Sequence, residues 1–280
     1  MRTEVFYTSK DIRDFKIGLI SDIHYYQNFN TKVLNNITKQ MVINKPNYIC
    51  IAGDILDKTN ITNVDPLIDW LKHLSNIAPL FIVLGNHDIK IGKHKHWLSN
   101  RNDVFIDKIK DFVNIHYLEN ESIVINNVCF YGFNLSFDYY EIQNETYESF
   151  CNEIKNIDSN YNDDTYNVLL FHSPINIYKY LYNNKTCNMN KSDIILSGHM
   201  HNGGIPFWIT NIFNKVFRTT RSVASPDRSL FPKYAQGRVY EEKEGYIYEG
   251  ITKLSKSQGF LHMFDFIYHK KVKFIEIKKK

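Results

Sequence analysis

Pro79-Leu80-Phe81-Ile82-Val83-Leu84-Gly85-Asn86-His87-Asp88 is the stretch from which the fold of the chain can be read. Its first six residues have the length and the residue types of a buried strand. Gly85 then lets the chain turn sharply, and an amide, an imidazole and a carboxylate follow in succession. Such groups are costly at the rim of a core unless something binds there. The stretch therefore predicts a buried strand that delivers ligand-type side chains at its carboxyl end.

A polar turn would explain one such stretch, but an apolar run followed at once by His, Asp or Asn occurs four more times. The five predicted strands cover residues 15–21, 48–52, 79–84, 168–171 and 193–197. The residues that follow these strands are Asp22, His24, Asp54, Asn86, His87, Asp88, His172, His199 and His201. Asp22 and His24, in an extended segment, should point to the same side. A carboxylate and an imidazole so placed are natural ligands of a divalent metal.

Helical patterns separate the first three predicted strands. Residues 31–44 carry apolar side chains at helical spacing, and so do residues 67–74. This β-α-β-α-β order predicts a parallel sheet with helical crossovers, which binds ligands outside the carboxyl ends of its strands. Residues 122–125 and 128–133 flank two Asn residues and predict a hairpin. The second half of the chain is therefore expected to form a mixed or antiparallel sheet.

Length and composition limit the class of protein. A chain of 280 residues without a Pro- or Gly-rich linker predicts a single domain over residues 1–280. No apolar stretch has the length of a signal peptide or a membrane span, so a cytoplasmic protein is expected. A net charge of +4, with basic and acidic residues interleaved, argues against a stable nucleic-acid complex. The four Cys residues are far apart in sequence and show no C-x-x-C spacing, so neither a disulfide framework nor a thiolate zinc site is indicated.

The strand-end residues offer oxygen and nitrogen ligands and no thiolate. They are too many for a single tetrahedral site, and they suit two divalent metals about 3.5 to 4 Å apart. Such a pair polarises a phosphate and generates a hydroxide nucleophile. A carboxylate is needed as the bridge between the ions. Mn, Fe, Zn, Co and Ni all accept Asp, Asn and His, and Mn²⁺ is the first expectation among them.

The order of these motifs resembles that of the calcineurin-like metallophosphoesterases. That family has D-x-H, G-D-x-x-D, G-N-H-D or G-N-H-E, a lone His and G-H-x-H in this order. The matching residues here are Asp22-Ile23-His24, Gly53-Asp54-Ile55-Leu56-Asp57, Gly85-Asn86-His87-Asp88, His172 and Gly198-His199-Met200-His201. The resemblance covers residues 22–201 and implies an α/β fold, a four-layer α/β/β/α sandwich of two mixed sheets flanked by helices.

The resemblance also implies which residues hold the two metals. The set for one metal is Asp22, His24 and His201, the set for the other is Asn86, His172 and His199, and the bridge is Asp54. A hydroxide on the metals would attack the phosphorus in line, and no covalent enzyme intermediate is expected.

Two further residues are expected to be catalytic by the same resemblance. His87 would lie beside the phosphate, stabilise its charge and protonate the leaving oxygen, and Asp88 would orient the ring of His87. For Asp57, a supporting role, a capping role and a direct role all stay open.

Residues 204–248 are rich in aromatic and basic side chains and are expected to decide specificity. An apolar cluster covered by loops, a surface for a phospholipid or nucleotide-lipid headgroup, and a stacking surface for single-stranded nucleic acid all remain open. The uncharged run over residues 205–209 favours a lipid or nucleotide headgroup over nucleic acid. A weak contact with a membrane surface through residues 205–217 is the corresponding expectation, with the protein peripheral to the membrane.

The function expected from these observations is hydrolysis of a phosphodiester. The sequence offers no obvious cluster for a doubly charged terminal phosphate, which disfavours a phosphomonoesterase or protein phosphatase. A metal-binding scaffold without turnover, working through protein or membrane contacts, is the alternative from another class. It is disfavoured because His87 and Asp88, which metal binding does not need, are both present. The oligomeric state is not predicted.

Overall fold

The computed structural model describes residues 3–27, 29–57, 61–89, 103–134, 147–174, 191–200, 216, 237–240, 244–247 and 272–280. The elements in the first half are β1 (Glu4–Thr8), β2 (Phe15–Ile20), α1 (Thr31–Asn44), β3 (Tyr48–Ala52), α2 (Asp65–Ser75), β4 (Leu80–Val83), the single turn α3 (Asn86–Ile89), α4 (Asp103–Lys110), β5 (Ile115–Tyr117), β6 (Glu121–Ile125) and β7 (Val128–Phe133). Those in the second half are α5 (Tyr147–Asn160), β8 (Tyr166–Phe171), β9 (Ile194–Ser197), β10 (Gly237–Tyr240), β11 (Glu244–Ile247) and β12 (Lys273–Lys279).

The first sheet has the strand order β1-β12-β2-β3-β4-β5. Strands β2 to β5 are parallel, as the alternation of strands and helices predicts. Strand β12 lies between β1 and β2, parallel to the former and antiparallel to the latter. The place of β12 inside the first sheet depends on non-local pairing that the sequence pattern does not encode.

The second sheet has the order β10-β11-β9-β8-β7-β6. Its central strands β7, β8, β9 and β11 are parallel, and an antiparallel hairpin closes each edge. The predicted hairpin between β6 and β7 turns at Asn126 and Asn127, whose φ angles are 51° and 62°. The expected mixed sheet is therefore confirmed, and the sequence pattern missed only that its centre is parallel.

The two sheets pack face to face between helical layers. The rings of Phe81 in β4 and Phe130 in β7 stack with their centroids 3.9 Å apart, so the core lies between the sheets. On the outer face of the first sheet, the apolar side of α1 includes Met41, which lies over Gly18 of β2. On the other side, α5 buries Ile157 and leads to Tyr161, whose ring contacts Tyr131 of β7. This is the expected α/β sandwich.

Several predictions concern residues beyond those that the structure describes. His201 and nearly all of residues 204–248 belong to this group, as does the proposed membrane contact of residues 205–217 apart from position 216. Within the described ranges, no helix is long and apolar enough to cross a membrane. The extent of the single domain over residues 1–280 stays a prediction.

Candidate metal centre

The loops that follow β2 and β3 pair with each other and bring two of the predicted motifs together. The backbone N–H of Asp22 donates to the carbonyl of Gly53, and the N–H of His24 donates to the carbonyl of Asp54, both at 3.0 Å. These loops are not extended, because φ is 54° at Asp22, 48° at His24 and 51° at Asp54. The premise that Asp22 and His24 share a side of an extended segment was therefore wrong. The side chains of Asp22 and His24 approach Asp54 because the loops after β2 and β3, with these residues in left-handed conformation, continue the pairing of the two strands.

Left-handed backbone also occurs at His199, where φ is 69°. Residues other than Gly rarely adopt this conformation, and each costs on the order of 1–3 kcal/mol. Four of the predicted metal ligands have it, namely Asp22, His24, Asp54 and His199. Strain of this kind persists only where the surrounding structure fixes the backbone, and it is typical of functional sites.

Asp54 lies at the centre of the cluster. Its Oδ2 is 3.2 Å from Nε2 of His172 and 3.7 Å from Nε2 of His24, and its Oδ1 accepts a hydrogen bond from the N–H of His87 at 2.8 Å. Burial alone would raise the pKa of Asp54, but His172, His87 and His24 together lower that pKa well below its usual value. Asp54 is therefore a buried carboxylate surrounded by imidazoles.

The imidazole of His172 is oriented by the first sheet. Its Nδ1 lies 2.6 Å from the carbonyl of Ala52, which can only accept, so Nδ1 carries a proton and Nε2 is the nitrogen that faces Asp54. Nε2 is 3.2 Å from Nδ1 of His199 as well as from Asp54. Burial opposes a charged ring, yet Asp54 raises the pKa of His172 to about 9. Nε2 of His172 therefore lies close to Nδ1 of His199 and Oδ2 of Asp54, and the carboxylate makes this position favourable for a positive charge.

Besides a group formed by His24, Asp57 and His87, two groups of donor atoms share a carboxylate and could each hold a metal ion. Asp22, His24 and Asp54 form one group whose ligand atoms lie within 4.8 Å of one another, and Asp54, His172 and His199 form another. Asp54 belongs to both groups, as expected of a bridge. Among the described residues, the Oδ1 atom of Asn86 is buried without a hydrogen-bond partner, which suits a further ligand of the second group.

His87 is held by Asp57 rather than by Asp88. Nδ1 of His87 lies 2.9 Å from the backbone carbonyl of Asp57 and 3.9 Å from its Oδ1. The same Oδ1 is 3.9 Å from Nδ1 of His24. Asp57, whose role the sequence left open, therefore stands between a predicted metal ligand and the predicted acid. In the sequence, the position of Asp57 at the end of the G-D-x-x-D motif is the feature that could have indicated this role.

Asp88 binds backbone groups and so differs from its predicted role. Its carboxylate accepts hydrogen bonds from the N–H groups of Gly85 at 2.8 Å, Ile55 at 3.2 Å and Leu56 at 2.7 Å. Burial and the nearby charge of Asp54 raise the pKa of Asp88 to about 7. Asp88 joins the loop after β3 to the turn after β4, because a short side chain at the start of α3 can reach both. It does not orient the ring of His87.

Gly85 is required for space and not for its backbone angles. Its φ is not positive, in contrast to that of Gly53 at 81°. A Cβ at position 85 would overlap Oδ1 of Asp54 and come within 2.5 Å of the backbone nitrogen of Asp54. The expected turn is present, since the N–H of Asp88 donates to the carbonyl of Gly85 at 3.1 Å, but Gly is needed there for the close approach of two strand-end loops.

The chain belongs to the calcineurin-like phosphoesterase family, whose model matches residues 15–203. An uncharacterized metallophosphoesterase of Campylobacter jejuni is 25% identical over 70% of this chain and 46% of its own length. Another from Aquifex aeolicus is 26% identical over 75% of this chain and 72% of its own length. Phosphodiesterase YaeI of Escherichia coli is 30% identical over 30% of this chain and 31% of its own length. The match to the Campylobacter protein spans less than half of that relative.

Solved structures give weaker likenesses. A dimetal phosphatase of Danio rerio has a TM-score of 0.45 at 10% identity, over 87% of this chain and 90% of that one. A 5'-nucleotidase precursor of Thermus thermophilus has a TM-score of 0.43 at 15% identity, over 67% of this chain and 42% of that one. Likenesses of this strength support no argument about function.

Proposed function

We propose that the chain is a phosphodiesterase that uses two divalent metal ions, with Mn²⁺ as the first candidate. The observation that carries the proposal is the position of Asp54, which belongs to both groups of ligand atoms. Membership of the phosphoesterase family supports the reaction class, a hydrolysis of phosphoric esters. The two metals, the preference for a diester and the individual roles below are proposed.

The residues present would divide between the two ions. Asp22 and His24 would hold one ion, together with His201, and His172, His199 and Asn86 would hold the other, with Asp54 shared. When bound, such ions neutralise charge on the phosphate and lower the pKa of a water molecule that serves as the nucleophile. The carbonyl of Ala52 holds the proton on Nδ1 of His172 and turns Nε2 toward Asp54, so Nε2 is the atom that would bind the ion.

His87 would act on the substrate. Its Nδ1 donates to the carbonyl of Asp57, so its Nε2 is the atom available to the phosphate. The side chain of His87 is 23% exposed, whereas those of His24 and His172 are 2% and 0% exposed. A protonated His87 would stabilise the phosphate charge and give its proton to the leaving oxygen. The carbonyl and carboxylate of Asp57 hold the ring in this orientation.

A diester is proposed as the substrate because the sequence offers no obvious cluster of cationic side chains for a doubly charged terminal phosphate. YaeI, a relative over 30% of the chain, is named a phosphodiesterase. A lipid or nucleotide headgroup on the diester, with weak contact of residues 205–217 at a membrane surface, extends the proposal. The phosphomonoesterase is the second candidate from the same class of enzymes.

The test compares bis-(p-nitrophenyl) phosphate with p-nitrophenyl phosphate on protein stripped of metal and reloaded with Mn²⁺. The control for the metal centre is Asp54→Asn, and the matched control is Asp163→Asn, which changes a carboxylate that is 81% exposed. Metal-dependent turnover of the diester that Asp54→Asn abolishes and Asp163→Asn retains is expected. Preference for the monoester would replace the diester proposal, and metal binding without turnover of either ester would favour the scaffold.

A further inference from the structure

Strands β4 and β5 stop pairing at the point where the candidate metal centre begins. The N–H of Leu118 donates to the carbonyl of Ile82 at 2.9 Å, which extends the parallel ladder beyond β5. The next bond of such a ladder would run from the N–H of Leu84 to the carbonyl of Leu118. The side chain of Asn134 occupies that place, since its Oδ1 accepts from Leu84 and its Nδ2 donates to Leu118, each at 2.9 Å.

The chemistry of this position requires an amide. Asn134 accepts from an N–H and donates to a C=O, as an inserted peptide unit would. A carboxylate would place an oxygen against the carbonyl of Leu118. An aliphatic side chain would leave the N–H of Leu84 and the carbonyl of Leu118 without these partners, in residues that are both buried.

Strand β7 brings Asn134 close enough to separate the two strands. A Cβ on Gly132 would lie 2.8 Å from the carbonyl oxygen of Leu118 and 2.9 Å from Cγ1 of Val83, so only Gly permits this approach. The backbone N–H of Asn134 donates to Oδ1 of Asn120 at 2.9 Å. Hydrogen bonds therefore hold the backbone N–H of Asn134 and both polar atoms of its side chain.

Asn134 is linked to both sheets at the metal edge. Leu84 precedes Gly85-Asn86-His87, so the separation of β4 from β5 sets the direction in which this turn leaves the first sheet. Phe133 pairs with Phe171, so Asn134 and His172 follow neighbouring strands of the second sheet in register. We propose that Asn134 is a positioning residue: inserted between β4 and β5, it holds the Asn86-His87 turn in place relative to His172. The inference rests on the proposed function, in which Asn86 and His172 hold the same ion.

The first experiment measures amide hydrogen exchange on the metal-free protein. Asn134→Ala should make the amides of Leu84 and His87 exchange roughly tenfold faster, while amides in β2 keep their rates. The matched control is Asn114→Ala, which removes an amide that donates to the carbonyl of Ser75 at the opposite end of β5. Asn114→Ala should leave the exchange of residues 84–88 unchanged. Unchanged exchange at Leu84 in Asn134→Ala would overturn the inference.

The second experiment titrates Mn²⁺ by calorimetry. Asn134→Ala should weaken the binding of one ion by roughly 10- to 100-fold and leave the other within about twofold of wild type. Asn134→Asp keeps the acceptor for Leu84 but places an oxygen against the carbonyl of Leu118, so it should weaken the binding of the same ion, and it serves if the Ala variant does not fold. Wild-type affinity for both ions in these variants would overturn the inference. A wild-type protein that binds no Mn²⁺ would instead refute the proposed function, and the exchange experiment would still decide the role of Asn134.

Discussion

Two polar clusters lie at opposite ends of the second sheet, and they differ in how their groups are paired. At the amino end, Nζ of Lys10 donates to Asp193 at 2.7 Å and to the carbonyl of Thr165 at 2.6 Å. Asn167, which is fully buried, donates to the carbonyls of Asn162 and Lys191 and accepts from the hydroxyl of Thr165. No residue of this cluster has a positive φ. The amino-end cluster is satisfied by its own groups.

The cluster at the carboxyl end has the opposite properties. Four of its residues have left-handed backbone, and the described residues offer no hydrogen-bond partner to Oδ1 of Asn86 or Oδ1 of Asp57. Native proteins pair nearly all of their buried polar groups, so a cluster that is strained and incompletely paired indicates a missing ligand. The comparison teaches that the amino-end cluster maintains the fold and that the carboxyl-end cluster is arranged for metal ions.

Asp54→Asn should have the largest effect on activity. The variant keeps the size of the side chain but loses the charge shared by both ligand groups, so metal-dependent turnover should fall by roughly 10³-fold or more. Mn²⁺ should no longer raise the melting temperature, and the metal-free variant should unfold below the wild-type temperature because the pairing of Asp54 with His172 is lost. Steady-state kinetics and calorimetry with and without Mn²⁺ measure both. Retained turnover would remove Asp54 from the proposed centre.

His87→Gln should lower turnover by roughly 10²-fold or more while the bound metal stays unchanged. His87 is expected to act on the phosphate and not on the ions, so the loss should be in kcat. Kinetics together with metal analysis of the same sample check this prediction. A variant that loses metal in proportion to its activity would show that His87 is a metal ligand. Unchanged activity would favour the metal-binding scaffold without turnover.

Asp57→Asn should have a smaller effect, a loss of roughly 10-fold in turnover. The carboxylate of Asp57 lies 3.9 Å from Nδ1 of both His87 and His24, and the carbonyl that holds His87 is retained in the variant. A double variant with His87→Gln should lose less than the two single losses combined, because part of the effect of Asp57 acts through His87. Additive losses would separate Asp57 from His87.

Asn167→Ala should leave activity unchanged and reduce stability. It removes three hydrogen bonds at a fully buried position and should lower the free energy of unfolding by about 2 to 3 kcal/mol. Urea denaturation measures the loss, and the rate with diester at 25 °C is the control. A fall in kcat as large as that of Asp54→Asn or His87→Gln would contradict the assignment of the amino-end cluster to stability alone.

The sequence predicted the strands and most of the ligand-type residues because both are local features. A run such as Leu80–Val83 followed by Asn86, His87 and Asp88 reveals its element and its polar end without tertiary information. The backbone of Asp22 and His24 was mispredicted because their left-handed conformation depends on pairing with another loop.

The partners of side chains were the least predictable features. Whether Asp57 or Asp88 faces His87 depends on the turn after β4 and on the loop after β3 together, which no local pattern contains. Asn134 also follows an apolar strand, as the predicted ligands do, but its bonds to Leu84 and Leu118 arise only when β7 meets the first sheet. Similarly, the insertion of β12 between β1 and β2 joins the two ends of the described chain.

The measurement that tests the central claim most directly is the number and coupling of Mn²⁺ ions in the reloaded protein. Metal analysis combined with electron paramagnetic resonance should find two Mn²⁺ per chain with an exchange-coupled spectrum, because both ligand groups share Asp54. Asp54→Asn should abolish the coupled signal, and Asn167→Ala should retain it. A single ion, or two ions without coupling in the wild-type protein, would contradict a centre bridged by Asp54.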